Sequence, residues 1–459
     1  MMKHEIIEIT PLQHAPRSTR CEMSEKLRQR LNLPINLHFL KIGCGMHTVT
    51  CPIVFIKEDH FGLSLSENVL NKLCLPIHSL SLQGTLKNNQ HLQLGPVIGL
   101  LTEIKTTEDG VRFGSIHEFC KELASYCMNN GIFFYIFSLT TYNKHQMEGY
   151  YLHESEWKKG IVPYPNVVHN RISSRKRERS KEFLQVTSDF IENKVPYFND
   201  RFLNKWEVHQ ILSGSEHLRP YLPMSQLFES KSTLENMFNI KKDVFIKPIN
   251  GSQGRRIFRV KEKENQTYHL DFTTFSGEIN TEYTTLQKLY SALSPRLKRG
   301  PFLLQETIQL SKYQNRTLDF RFLCHKKDFQ QWKVTSAVAR VSGENQFVAN
   351  LARGGQIYPI KTVLSELYGK DESRHLRKML AELSLEIVNI VSLHAGGEFG
   401  EFGIDLGLDP KGHPWIIEVN TKPSKLENEQ KSERIRPSAR SVINYCLFLS
   451  QLNGKKEPA

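Results

Sequence analysis

The stretch GIDLGLDPKGHPWIIEVNTKP, Gly403 to Pro423, reads as two short apolar strands around a tight turn. Asp409-Pro-Lys-Gly412 carries Asp first, Pro second and Gly fourth, the preferences of a common β-turn. Among the Ile, Leu, Val and Trp sit three oxygen-bearing side chains, Asp405, Glu418 and Asn420. Pairing Asp409 with Gly412 puts Asp405 opposite Ile416 and diagonal to Glu418. Glu418 and Asn420 are two apart and share that face, while Ile417 and Val419 point into core. A β-bulge would break this parity. Two carboxylates and a carboxamide on one face form a hard oxygen set that suits Mg²⁺. The same spacing also fits a hairpin whose polar residues simply meet solvent.

Two segments upstream carry complementary charge. VFIKPINGSQGRRIFRV (Val244–Val260) is a strand delivering Lys247, then a loop with Gly251, Ser252, Gln253 and Gly254, then another strand. Glycines let backbone N–H groups approach an anion closely, and the lysine adds charge. The spacing is neither a P-loop nor a dinucleotide fingerprint, and no helix follows. A plain hairpin with a glycine turn is the alternative. In SAVARVSGENQFVANLARGG (Ser336–Gly355), Arg340 and Arg353 flank a loop bearing Asn350. Arginine suits bidentate stabilisation of oxyanions, although ordinary surface arginines would look the same.

The order of these pieces resembles the ATP-grasp superfamily over residues 200–425. The Glu-Val-Asn run, with an Asp thirteen residues before Glu418, is its most specific part. PNVVHNRISSR, FNDRFLNKWEVHQIL, YLPMSQLF and GEFGIDLGLD extend the likeness across nearly the whole chain. Together they resemble the YheC/YheD family of endospore coat-associated proteins. The resemblance implies that Lys205 and Lys247 grip ATP phosphates and that Gly251, Ser252, Gln253 and Gly254 fold over them. It implies that Gln305, Glu306 and Ile308 present backbone groups to adenine, with Asp319 toward the ribose. Asp405, Glu418 and Asn420 become the Mg²⁺ (or Mn²⁺) ligands. Arg340, with Lys247 and Asn350, becomes the catalytic set, Arg340 stabilising the reacting carboxylate or tetrahedral intermediate. One departure concerns the acceptor side: Thr421-Lys-Pro-Ser424 stands where ligases often carry a small residue, Pro and Gly.

The implied chemistry is ATP-dependent carboxylate–amine ligation through an acyl phosphate, needing positioning and electrostatics rather than a protein nucleophile. Its acceptor is unnamed, anionic or peptidic, and spore coat proteins are candidate partners. A catalytically weak, ATP-binding scaffold of the spore coat is the alternative. A third reading, a nucleic-acid-associated protein, draws on the net charge of +13 and the basic run Arg171–Lys181. No aromatic-interleaved strand or helix-turn-helix pattern supports it. Within Asn170–Phe183 the basic residues read either as an anion patch or as a solvated helix face.

With 459 residues the chain has room for several domains, of mixed α+β and α/β class. Residues 1–95 are expected as a β-rich barrel or sandwich with one short helix capped by Ser66. Residues 96–200 read as a pre-ATP-grasp α/β domain: strand GPVIGLLTE, a helix with a Ser115/Glu118 capping box closed by Gly131, then strand IFFYIFSL. Residues 201–459 are expected as the two-lobed ATP-grasp domain. Its long helix buries Leu376, Leu380, Leu383, Ile387 and Ile390. Eight scattered cysteines without a CxxC pair, an N-terminus without an apolar run and no membrane-length segment give an expectation of reduced thiols and a cytoplasmic location, with the spore coat as the alternative that the family resemblance implies.

Overall fold

The computed structural model describes residues 5–12, 18–58, 61–88, 90–108, 110–251, 256–274, 277–298, 300–343, 355–425 and 434–453. The chain divides into two units: residues 1–201, 326–330 and 424–459, and residues 202–325 and 331–423.

The first unit opens with a closed barrel of Glu5–Pro11, Gly62–Leu65, Cys21–Ser24, His47–Ile56, Phe39–Cys44, His91–Leu94 and Leu80–Asn88, in that order around the wall. Alternation supplies its interior: Val49, Cys51 and Ile53 of one strand are buried between exposed Thr48, Thr50, Pro52 and Val54. Ser66 stands at the N-cap of Glu67–Lys72 as expected, but its side chain makes no capping bond. A twisted sheet follows, ordered Glu156–Ile161, Glu148–His153, Phe133–Phe137, Val97–Leu101, Val167–Asn170, Tyr197–Phe198. Val97–Leu101 and Phe133–Phe137 are parallel and buried at every position, as a strand covered on both faces requires.

The connecting helix runs His117–Asn129, and the expected capping box is not made. Ser115 lies in a 3₁₀ turn, Gly114–Ile116, and the helix has no side-chain cap. Packing decides this entry: Phe113 is buried, stacked on His117 (5.4 Å) and edge-on to Trp157 (4.8 Å). The C-terminal end behaves as expected. Gly131 has φ +65°, Ile132 N–H reaches the Cys127 carbonyl (3.0 Å) and Gly131 N–H the Met128 carbonyl (3.2 Å), a Schellman closure. A Cβ at Gly131 would lie 2.8 Å from the Gln83 nitrogen. Gly131→Ala is expected to cost about 1–3 kcal/mol, combining left-handed strain with that clash, and to lower the urea midpoint of the first unit. An unchanged midpoint would contradict this.

The proposed division at 95/96 separates the barrel from the sheet in sequence, yet the two share one apolar core that runs from Ile7 and Ile42 to Tyr135 and Phe190. The 201–459 expectation differs from the structure at its C-terminal end. Helix Pro437–Asn453 belongs to the first unit, where Val442, Ile443, Tyr445 and Cys446 bury against Ile98, Phe119 and Leu123. An apolar stripe must be buried, but its spacing does not say in which core.

The second unit contains two sheets. One is antiparallel and ordered Ser225–Phe228, Phe302–Glu306, Asp243–Pro248, Phe258–Glu262, Tyr268–Thr274, Gly277–Tyr283. The other is ordered Gln356–Pro359, Trp332–Val341, Arg316–Lys326, Glu401–Leu408, Pro414–Asn420. Helix Lys370–His394 buries Leu376, Leu380, Leu383 and Ile387 in the core of this second sheet, with Ile390 partly buried against it. Among the described residues no helix is long and apolar enough to cross a membrane. Among the described residues no cysteine is in a disulfide.

Candidate functional site

The opening hairpin forms, in a different register from the one parity predicts. Asp409 N–H bonds the His413 carbonyl (3.0 Å), and the Asp409 side chain accepts from Lys411 and His413 N–H (both 2.9 Å). Leu406 then pairs with Ile416, but a bulge shifts the next pair to Asp405 and Glu418, leaving Ile417 as the extra residue. Asp405 is therefore directly opposite Glu418, not Ile416. Ile416 and Val419 enter the core, and Ile417, expected inside, is only half-buried. Asn420 pairs with Gly403 and shares the Asp405–Glu418 face. The face survives although the register changes.

What occupies that face is a chain of ion pairs. Asp405 is buried, and both its oxygens accept from Arg321, through Nε and Nη2 (2.8 Å for the latter). Arg340 Nη2 lies 2.9 Å from Asp405 Oδ2 and also grips Asp319 with Nε (2.7 Å) and Nη2 (2.8 Å). The strand Arg316–Lys326 supplies Asp319 and Arg321 two residues apart, hence on one face, and Trp332–Val341 supplies Arg340. Gly403 makes room: a Cβ there would lie 2.8 Å from Pro423 Cβ and 3.5 Å from Arg321 Nη1. The environments drive the carboxylates apart. Burial alone would raise Asp405, but Arg321 and Arg340 outweigh it and hold it below the usual range. Burial lifts Asp319 to about 6 against the pull of Arg340, with the Asp405 charge adding to the rise. Arg340, despite burial, is pushed up by both.

Asp319, expected near a ribose, thus has both oxygens committed to Arg340. Arg340 is correspondingly bound on the carboxylate side rather than presented alone. Arg321 was not among the expected residues. Its signal was the Asp-x-Arg spacing in LDFRFL, which puts a cation beside a carboxylate on one strand face.

The lysines converge on the same hairpin. Lys205 opens helix Lys205–Ser213 behind a full capping box made by Asn204 and Glu207, and its N–H bonds the Ile249 carbonyl (3.0 Å). Its ammonium pairs with Glu418. Lys247 donates to Gln305 Oε1 (2.7 Å), whose amide nitrogen donates to Ser225 Oγ (3.0 Å). Burial first, and Lys205 second, push Lys247 down to about 8, while Glu418 pulls the other way. Segments near 205, 247, 305 and 418 thus meet at one place.

The remaining expected residues divide. Glu306 is buried, and its N–H is taken by the Met224 carbonyl (2.9 Å). Its carboxylate holds Met224 N–H (2.7 Å) and Lys241 (2.5 Å). Strand pairing thus takes the Glu306 N–H. Ile308 is half-buried in the loop just past this strand. Gly251 closes the turn that follows the lysine strand, its N–H on the Pro248 carbonyl (3.1 Å). Ser252, Gln253, Gly254 and Asn350 lie outside the described residues. The basic run Asn170–Phe183 holds a 3₁₀ turn at Arg177–Arg179 and becomes α-helix only from Lys181. Asn170 and Arg171 are buried, whereas Lys176, Arg177 and Arg179 are exposed, so a uniform solvated helix face is not formed.

Asp405, Glu418 and Asn420 fit a hard divalent cation by donor chemistry and shared face. Among the described residues no group of three His, Cys, Asp or Glu side chains is disposed to hold a metal ion. Asp405 is turned to its arginines.

Residues 194–449 match the family model described as YheC/D like ATP-grasp. The chain is 29% identical over 393 residues to the endospore coat-associated protein YheD of Bacillus subtilis (strain 168), covering 84% of this chain and 85% of that one. It is 20% identical over 304 residues to the endospore coat-associated protein YheC of the same strain, covering 65% and 80%. The D-Ala:D-Ser ligase VanG from Enterococcus faecalis superposes with TM-score 0.46 at 13% identity, over 78% of this chain and 99% of that chain.

Proposed function

Because the chain belongs to the YheC/D-like ATP-grasp family, we propose that it is an ATP- and Mg²⁺-dependent ligase that activates a carboxylate as an acyl phosphate and passes it to an amine. The observation that carries this reading is the meeting of Lys205, Lys247, Gln305 and Glu418 from four separated segments. Two ammonium groups beside a carboxylate and an amide suit a polyphosphate bridged by a metal. Lys247 and Lys205 hold the phosphates. Gln305 orients Lys247, and Ile308 with the end of strand Phe302–Glu306 faces the base. Asp405, Glu418 and Asn420 would hold Mg²⁺, which when bound offsets phosphate charge. Arg340 and Arg321 steady anionic oxygens at the reacting centre. By the family resemblance, Ser252, Gln253 and Gly254 would cover the phosphates and Asn350 would act with Arg340 and Lys247 in catalysis. Association with the spore coat is carried over from YheD and YheC.

The reading is tested by incubating the protein with ATP, Mg²⁺ and candidate amine acceptors, anionic peptides included. ADP release with a new amide mass supports it. Glu418→Gln is expected to weaken Mg·ATP binding about 10–100-fold, since a neutral amide replaces a charged ligand. Equal affinity measured calorimetrically would remove Glu418 from the ligand set.

A second reading, an ATP-binding coat scaffold with little turnover, is favoured by one observation: Asp405 is clamped by two arginines. Saturable ATP binding with no ADP formed across the acceptor panel would select it.

A further inference from the structure

The ion-pair chain around Asp405 has a consequence for how metal enters, which rests on the nucleotide-binding reading above. Among the described residues, three carboxylates, Asp319, Asp405 and Glu418, stand against four cations, Arg321, Arg340, Lys205 and Lys247. Both charged ligands expected for a divalent cation are already neutralised by the chain's own cations. Glu418 is held by Lys205 at a partly exposed position, and Asp405 by Arg321 and Arg340 in a buried one. A bare divalent ion would have to displace a bidentate guanidinium from Asp405 and would add two more positive charges to a site already net positive. Displaced and unpaired, a buried guanidinium is costly. A metal arriving with a triphosphate meets neither obstacle, because phosphate oxygens offer the guanidinium and ammonium groups new anionic partners of the same geometry.

We infer that Arg321, assisted by Lys205, is a positioning residue that latches the metal ligands: Asp405 and Glu418 accept a divalent cation only together with nucleotide phosphates, which draw the latching cations away. No bond is made or broken beyond this exchange of ion pairs. The latch makes the metal strictly nucleotide-linked, and it makes Arg321 an antagonist of bare metal binding rather than a support for it. A merely structural role for the Arg321–Asp405 pair gives the opposite expectation, since loss of Arg321 would then loosen the ligand set and weaken metal binding.

The experiment uses the full chain and Mn²⁺ as the probe. Free Mn²⁺ is followed by electron paramagnetic resonance without nucleotide, for wild type, Arg321→Met, Arg321→Lys and Lys205→Met. The wild type should show only weak Mn²⁺ binding. Arg321→Met should bind Mn²⁺ about 10–100-fold more tightly, the range by which groups around a metal site usually tune affinity. Arg321→Lys, which keeps a cation, should stay near wild type. In parallel, Mn²⁺ alone should raise the melting temperature of Arg321→Met and leave that of wild type unchanged. Should Arg321→Met fail to fold, Lys205→Met carries the test through Glu418, again with tighter bare-Mn²⁺ binding expected. Tight Mn²⁺ binding by wild type, or no tightening in a folded variant, overturns the latch. Thermal protection by ADP is measured separately on the wild type. Its absence would sink the nucleotide-binding reading, whereas its presence with unaltered Mn²⁺ affinities sinks the latch alone.

Discussion

Lys247→Ala is expected to abolish the rise in melting temperature that ATP confers, while leaving the fold intact. Lys247 is half-buried, bonded to Gln305 at 2.7 Å and close enough to Lys205 to feel its charge. Ligand protection scales with the logarithm of ligand concentration over the dissociation constant, so losing the phosphate-holding charge removes it at moderate ATP. The lysine's depressed pKa of about 8 adds a pH signature. Below that value the ammonium is charged and can bind phosphate, and as pH rises through 8 the free site loses the charge. ATP affinity should therefore fall above pH 8 in the wild type and much less in Lys247→Arg. The stability linkage has its own sign. A folded pKa below the ordinary lysine value means that the nucleotide-free protein gains stability as pH rises from about 8 toward 10.5 and loses it again as pH falls through 8. Differential scanning fluorimetry with and without ATP at several pH values reads both effects. Undiminished protection in Lys247→Ala would remove this lysine from the site.

Asp405→Ala should produce the largest loss of stability. It leaves Arg321 without its bidentate partner and Arg340 with Asp319 alone, both guanidiniums being nearly buried. Removing one partner of a buried ion pair typically costs about 3–5 kcal/mol. Three of the four tryptophans, Trp206, Trp332 and Trp415, lie in the second unit, so tryptophan fluorescence in urea follows it. Asp319→Ala should cost less, because Arg340 retains Asp405. A double variant, Arg321→Met with Asp405→Leu, should recover much of the loss, since replacing a buried pair by apolar residues is often near neutral. A loss below about 1 kcal/mol for Asp405→Ala would show that the network is solvated and contributes little.

The amino-acid sequence by itself determined the pieces and their chemistry. Alternation and turn residues determine the hairpin of 403–423, the strand that carries Lys247 and the buried parallel strands 97–101 and 133–137, because each rests on local periodicity. The shared face of Asp405, Glu418 and Asn420 was also legible there. Tertiary structure alone decided the register, which sets Asp405 directly opposite Glu418 on that face. Whether Ile416 or Ile417 enters the core depends on which one the helix Lys370–His394 and the neighbouring strands can accommodate, and a bulge resolves it in favour of Ile416. It alone decided that Glu306 ties its strand to residue 224, and that Pro437–Asn453 joins the first core. It alone brought Arg321 and Arg340 to Asp405. Ion pairs across 84 and 65 residues of chain have no periodicity to betray them, since they form only when strands from distant segments pack side by side and burial makes each charge require an opposite one.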